Sequence, residues 1–440
     1  MTEPMEPGES QAVDVLPRRT KPSRGIRPLV AAFAAVVLVA GTAVAIGSLA
    51  SDGDSSPEAP VRALFEAAAD GDVFGMLEQV APGEREALRE PFADLVTELT
   101  RLEVLGEVDL DDLGAYRLEF DDLQLDAEIR SDDLAFVRIT GGRAEYSFDP
   151  ADLPLGPFLA SLFGPVESSG PTTGSSELRS DDPGGQDDGV VTVKRDGTWY
   201  VSLGYTLAEQ ARVEAGVSID DLGDGVEADG AGSAEDAVRE IVEATGDLDL
   251  RRVLELLPPG EMGALQAYAG LFLEDAEASR PSGYSLTIDE LDLESDVDGD
   301  VATVKVVSLA ATVVTDEGTV RIEDDCVTIE AAGEAPVRTC GNDPTALLGE
   351  LGLAVPGFRP PPTTAGGGPT PDVGIRAVRV DGRWYVSPVR TVLDAVVASV
   401  RTLEPADLEE LVSSVQGLLT MGMGGFAMPG ASATTGGAGY

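Results

Sequence analysis

Apolar positions from residue 56 onward first follow a helical period and then alternate, and this succession occurs twice. Val61, Leu64, Phe65 and Ala68 keep the i, i+3, i+4, i+7 spacing of one helix face, and Val238, Ile241, Val242 and Thr245 keep the same offsets. Ser56 and Ser233 stand where N-caps are expected. Turns at Asp70-Gly71-Asp72 and Asp247-Leu248-Asp249 lead to a second predicted helix. Its apolar positions, Val73, Met76, Leu77 and Val80, are matched by Leu250, Val253, Leu254 and Leu257. Both copies then read Pro-Gly-Glu, at 82–84 and 259–261, where Pro and Gly are stop signals for the second helix. A third helical stretch follows, ending near 102 and 279.

Alternation takes over at Tyr116-Arg117-Leu118-Glu119-Phe120 and at Tyr284-Ser285-Leu286-Thr287-Ile288, each running into an acidic Leu-x-Leu stretch. Ala135 to Ile139 and Ala302 to Val306 predict the next strand, and 143–148 and 319–330 a third. Asp149-Pro150 and Asp343-Pro344 each precede a short Leu-rich helix. Insertions rich in Pro, Gly, Ser and Thr, at about 164–189 and 356–373, then read as mobile loops. The closing hairpin has Asp-Gly at its turn and repeats most plainly: Val193-Lys194-Arg195-Asp196-Gly197-Thr198-Trp199-Tyr200-Val201-Ser202 against Val378-Arg379-Val380-Asp381-Gly382-Arg383-Trp384-Tyr385-Val386-Ser387. The two tryptophans, the only ones in the chain, therefore mark one place in two homologous domains.

Helices followed by antiparallel strands predict an α+β layer architecture, with tandem domains at 55–216 and 233–419 and a linker at 217–232. This order, with the closing Asp-Gly-x-Trp-Tyr-Val-Ser strand, resembles the NTF2-like superfamily in its membrane-anchored bacterial branch, over about 55–204 and 233–388. The resemblance implies two cones, each a helical layer on a curved antiparallel sheet, often with a pocket. The chain departs from that pattern in the long insertion before the last strand and in the helix after it. In the second copy this addition runs from Val389 to Val400 and again from Pro405 to Leu419. Leu408, Leu411, Val412, Val415 and Leu418 share one face there, a candidate partner-binding helix. Residues 420–440, rich in Gly and Met, are expected to be disordered. Some members of the superfamily are enzymes that pair a carboxylate base with a hydroxyl or protonated acid. No acid of this chain can be assigned to a cone interior, so no catalytic residue is assigned.

Upstream, no charge occurs between Pro28 and Ser51, and a helix of this length spans about 30 Å of hydrocarbon at ~1.5 Å per residue. Arg18, Arg19, Lys21, Arg24 and Arg27 precede it; Asp52 and Asp54 follow. The positive-inside bias puts residues 1–27 in the cytoplasm, 28–51 in the membrane and the rest outside. A cleavable signal peptide is the competing reading, but the apolar stretch and its leading tail are long for one.

Charge and composition narrow the chemistry. Thirty Lys plus Arg against 79 Asp plus Glu leave a net charge of −49, which argues against nucleic-acid binding. The chain has no histidine, so neither a Ser-His-Asp nor a Cys-His arrangement can be built, nor a histidine-ligated metal site. Three lysines and a single asparagine point to a GC-rich genome, such as an actinobacterial one. Cys326 and Cys340, the only cysteines, fall on the outer side and are expected to form a disulfide. Asp296-Val297-Asp298-Gly299-Asp300 alternates carboxylates as a hard cation requires, but Val301 and Val307 occupy the positions where an EF-hand loop needs Gly and Glu. It reads as a hairpin turn, and no metal or cofactor is expected. Trp199, Tyr200, Trp384 and Tyr385 are candidates for core packing or for lining a pocket.

Together these features predict a non-catalytic, membrane-anchored extracytoplasmic binding or scaffold protein of the cell envelope, whose partners are other envelope proteins. The alternatives are a carrier of lipid or another small hydrophobic ligand, serving an envelope transport system, and a cation-responsive sensor.

Overall fold

The computed structural model describes residues 56–106, 116–149, 152–163, 170–178, 189–278, 283–315, 318–323, 326–331, 336–340 and 374–408. Among these, no helix is long and apolar enough to cross a membrane; the predicted anchor at 28–51 lies outside the described residues. The fold is α+β, with two curled antiparallel sheets, each carrying its own helices.

Repeat 1 opens with α1 (Glu58–Asp70), α2 (Val73–Glu78) and α3 (Pro82–Arg101). Gly71, at φ 70°, ends α1 in a left-handed cap, and the Asp72 carboxylate accepts from Gly75 N at 2.8 Å to start α2. Pro82 takes the first turn of α3, where its missing N–H costs nothing. The long hairpin β1 (Tyr116–Ser131) and β2 (Leu134–Phe148) follows, then α4 (Pro157–Phe163), β3 (Thr172–Glu177), β4 (Gly189–Arg195), β5 (Thr198–Val201) and α5 (Leu203–Ala215). β2 pairs with β4 along its first half and with β3 along its second, so the two short strands follow one another on one edge. Register shifts in β1 between Asp121 and Leu125, with Asp122 at φ 52°, bend the hairpin over the helices.

Repeat 2 has α6 (Ala234–Gly246), α7 (Leu250–Glu255), α8 (Pro259–Ala267) and α9 (Leu273–Ala278). Its strands are β6 (Ser285–Asp298), β7 (Val301–Thr315), β8 (Gly318–Glu323), β9 (Cys326–Ala331), β10 (Val337–Cys340), β11 (Ile375–Val380) and β12 (Arg383–Val386), and α10 (Pro388–Arg401) closes it. Here β7 takes the place of β2, with β6 on one edge and β11 and β8 on the other. The hairpin β9–β10 extends this sheet beyond the common plan, and its register sets Cys326 opposite Cys340. The last hairpins turn through Asp196-Gly197 and Asp381-Gly382 with both residues at positive φ, the twist that suits tight antiparallel turns.

The cores correspond as well. Val61 and Val238 are fully buried beneath the first helix of each repeat, Val137 and Val304 in the central strand. Val201 and Val386 close the two clusters from the final strand.

Several expectations change. Ser56 is not the N-cap of α1: the cap is Pro57, which makes no side-chain bond, whereas Ser233 accepts from Asp236 N at 3.1 Å as expected. The third strand placed at 143–148 is the second half of β2, and the partner of that half, β3, lies inside the stretch read as a mobile loop. The single strand placed at 319–330 is two strands, β8 and β9. The third helix of repeat 2 is interrupted at Tyr268 and followed by a short turn at Ala269–Leu271, where the backbone packs on the linker: a Cβ at Gly270 would lie 2.1 Å from the Leu222 carbonyl oxygen. The linker itself is partly built into repeat 2: Ala231 and Trp384 exchange backbone hydrogen bonds of 2.8 and 2.9 Å. Asp343-Pro344, the insertion at 356–373 and the tail at 420–440 lie outside the described residues.

One core position differs tellingly between the copies. Thr192 on β4 is fully buried and its hydroxyl has no hydrogen-bond partner among the described residues, whereas the equivalent residue on β11 is the fully buried Ala377. An unsatisfied buried hydroxyl costs about 1–3 kcal/mol. Thr192→Val is therefore expected to raise the melting temperature of the full chain by ~2–4 °C; a fall in calorimetric midpoint would contradict this.

Candidate functional site

The two repeated motifs, Pro-Gly-Glu and Trp-Tyr-Val-Ser, meet in space. In repeat 1 the Glu84 carboxylate accepts from Ser202 Oγ at 2.5 Å, from Leu203 N at 2.8 Å and from Gly204 N at 3.1 Å. Ser202 is in turn the N-cap of α5, its Oγ accepting from Tyr205 N at 3.1 Å. In repeat 2 Glu261 accepts from Ser387 Oγ at 2.6 Å and from Val389 N at 3.0 Å, and Ser387 caps α10 by accepting from Arg390 N. Pro388 stands where Leu203 donates and has no N–H, so Glu261 receives one backbone bond fewer. Thr206 and Thr391 complete each cap: their hydroxyls donate to Ser202 O and Ser387 O and accept from Val191 N and Arg376 N. The first-turn amides of Leu203, Gly204 and Tyr205 in α5, and of Val389 and Arg390 in α10, which no helix can pair internally, are thus satisfied.

Burial pushes both carboxyls, Glu84 and Glu261, above the usual carboxylate range, and their hydrogen bonds oppose it only in part.

The capped helices do not stay within their own repeats. α5 of repeat 1 packs on α8 of repeat 2, α10 of repeat 2 packs on α3 of repeat 1, and α3 packs on α8. The exchange is reciprocal, as a two-fold relation between the repeats requires. At its centre are the glycines of the two Pro-Gly-Glu motifs: a Cβ on Gly83 would lie 2.5 Å from the carbonyl carbon of Gly260. Beside it, a Cβ on Gly204 would lie 3.3 Å from that of Ala264.

The flanks of this seam are polar and unlike each other. On one side Arg401 pairs with Asp94 at 2.6 Å and Glu98 at 3.1 Å, and Arg390 donates to Glu86 O at 2.7 Å. Arg101 donates to the carbonyls of Val400, Arg401 and Leu403, so a side chain of repeat 1 caps the C-terminus of the last helix of repeat 2. On the other side Glu209 is buried between Arg212 at 2.6 Å and the Tyr268 hydroxyl at 2.9 Å, with Arg130 3.7 Å away. Burial alone would raise Glu209; the Arg212 guanidinium, the Tyr268 hydroxyl and Arg130 hold it below the usual range. The void beneath Arg130, Phe136, Glu209 and Tyr268 is too tight for a water molecule.

Trp199, Trp384 and Tyr385 are buried and Tyr200 is half-buried. Trp384 belongs to the core beneath α6, and Tyr385 packs against Gly230 of the linker. Lys194 lies 5.7 Å over the Trp199 ring and Arg379 5.4 Å over Trp384, so each tryptophan meets a cross-strand cation. A cleft of about 520 Å³ lies along the linker instead, at Val226, Asp229, Arg251 and Glu255. Asp296 to Asp298 end β6, paired with β7, and Gly299, at φ 62°, and Asp300 make the turn between them. Among the described residues no three ligating side chains converge on a metal position. Leu408 is half-buried; Leu411, Val412, Val415 and Leu418 lie outside the described residues. Local sequence pattern does not single out Glu84, Ser202, Thr206 and their counterparts as site residues, although all six recur at matching places in the two copies.

The central contact gives an asymmetric expectation. Gly83→Ala must move backbone and should destabilise the chain by about 1–3 kcal/mol, as overpacking does. Gly260→Ala would place its Cβ 3.3 Å from Gly83 Cα, a shift of a few tenths of an ångström, and should have a clearly smaller effect in denaturant titrations; equal losses would contradict the contact. Compared with known protein families, curated proteins and solved structures, the chain matches none.

Proposed function

We propose that the chain is a non-catalytic binding or scaffold protein of the cell envelope, anchored by residues 28–51, with two NTF2-like modules outside the membrane. The observation that carries this reading is how the polar groups at the seam are used. Glu84 and Glu261 direct their oxygens at helix caps of their own repeats, and Glu209 is held by Arg212 and by Tyr268 of the other repeat, so these three acids serve the seam between the modules. The last helix, held at its C-terminus by Arg101, is followed after a break at 402–404 by residues 405–408, which are again helical. The amphipathic stretch through Leu418 thus starts at a fixed point on the pair.

A Cys326–Cys340 disulfide belongs to the same reading. Directly opposite residues of antiparallel strands have Cα atoms about 4.5–5.5 Å apart, within the span a disulfide bridges. The denatured chain should accept no thiol reagent until reduced.

Deletion of 405–419 from the full chain is expected to abolish cross-linking to envelope proteins in native membranes while leaving the melting transition in place. Unchanged cross-linking would remove this segment from the proposal. A lipid that stays bound in native mass spectrometry and is released by organic extraction would favour the carrier instead.

A further inference from the structure

Glu84 is buried and Glu261 half-buried, yet neither carboxylate is hydrogen-bonded to a cation among the described residues. Arg195 on β4 acts on Glu84 only at a distance, as Arg390 on α10 does on Glu261. The other titratable groups near Glu84 are Tyr205 on α5 and, beyond it, Asp133 at the β1–β2 turn. An enclosed carboxylate without a paired cation is costly when charged, even with hydrogen bonds to soften the loss of water. Both stand beside the Gly83–Gly260 contact, and each holds the first turn of a helix that crosses to the other repeat.

We propose that the seam is a proton-operated clamp: protons taken up by Glu84 and Glu261 tighten α5 and α10 onto the opposite repeats, and their release loosens both helices together. The proton comes from solvent and sits on the carboxyl oxygen facing the serine, 2.5 Å from Ser202 Oγ and 2.6 Å from Ser387 Oγ, so the short contact survives with donor and acceptor reversed. The sign follows from linkage. Both groups have folded values above their unfolded 4.5, so the native state binds more protons than the unfolded one in the window between 4.5 and those folded values. Their contribution to stability is fully present below that value and is lost as pH rises through the folded values. Two such groups at one seam make the loss cooperative across both helices.

Hydrogen–deuterium exchange on the full chain, corrected for intrinsic rates, reads this directly at 203–215 and 388–401. A carboxyl that binds its proton more tightly in the closed seam than in the open one favours the closed seam at acid pH by the same factor. Both helices should exchange several-fold more slowly at mild acid than at neutral pH. An Asp296→Asn, Asp298→Asn control, which removes two exposed acids, should keep that dependence; in Glu84→Gln, Glu261→Gln it should vanish. Wild-type exchange independent of pH, or a dependence retained in the double Gln variant, overturns the clamp. Should that variant fail to fold, carbon-detected titration of the wild-type glutamate carboxyls decides. Two carboxyls titrating above 4.5 in step with α5 and α10 amides support it, and none above 4.5 overturns it.

Discussion

The structure depends on one bond set made twice: a glutamate from the start of a third helix accepting the hydroxyl and amides at the start of the last helix. Glu84 does this for α5 and Glu261 for α10. Each cap fixes where its helix leaves the final strand, and that exit direction sends it over the other repeat. A helix start is a site of unsatisfied donors, and the carboxyl oxygens there supply their acceptors. Folding each repeat thereby builds half of the surface that joins it to its twin.

Once joined, the halves are free to differ at the flanks. The side formed by α3 and α10 is strapped by exposed pairs, Arg401 with Asp94 and Glu98, of the kind that contributes less than about 1 kcal/mol each in water. The side formed by α5 and α8 buries a single charged group, Glu209, between Arg212 and Tyr268. Removing one partner there would strand a charge, a far larger loss than breaking a surface pair. Tyr268, which supplies the hydroxyl to that cluster, is also the residue at which α8 ends. On the strap side the chain continues past α10 through exposed residues 404–407.

The helices, the long hairpins and the Asp-Gly turns are legible in the sequence because each is written in local periodicity or turn chemistry. Val61 and Val238 fall in their cores as their spacing requires, and Asp196-Gly197 and Asp381-Gly382 turn as such pairs do. β3 is illegible: Thr172–Glu177 has no apolar alternation and is a strand only because the far half of β2 offers it hydrogen bonds. Glu84 reads locally as part of a stop signal, since its partner lies 118 residues away and local pattern cannot reach it. The signal that could find the cap is the repeat itself. Ser202 with Thr206, Ser387 with Thr391 and the two motif glutamates recur as polar residues at matching places, where a mere surface would have let them drift.

If the caps make the repeats one cooperative body, the two tryptophans report it from opposite sides. Trp384→Phe leaves Trp199 to follow repeat 1, and Trp199→Phe leaves Trp384 to follow repeat 2. Denaturant titration of the two single-tryptophan chains should give one shared midpoint, and adding Glu84→Ala should lower both midpoints by the same amount. Separate midpoints, or a shift confined to Trp199, would show that the repeats fold independently and would contradict the account.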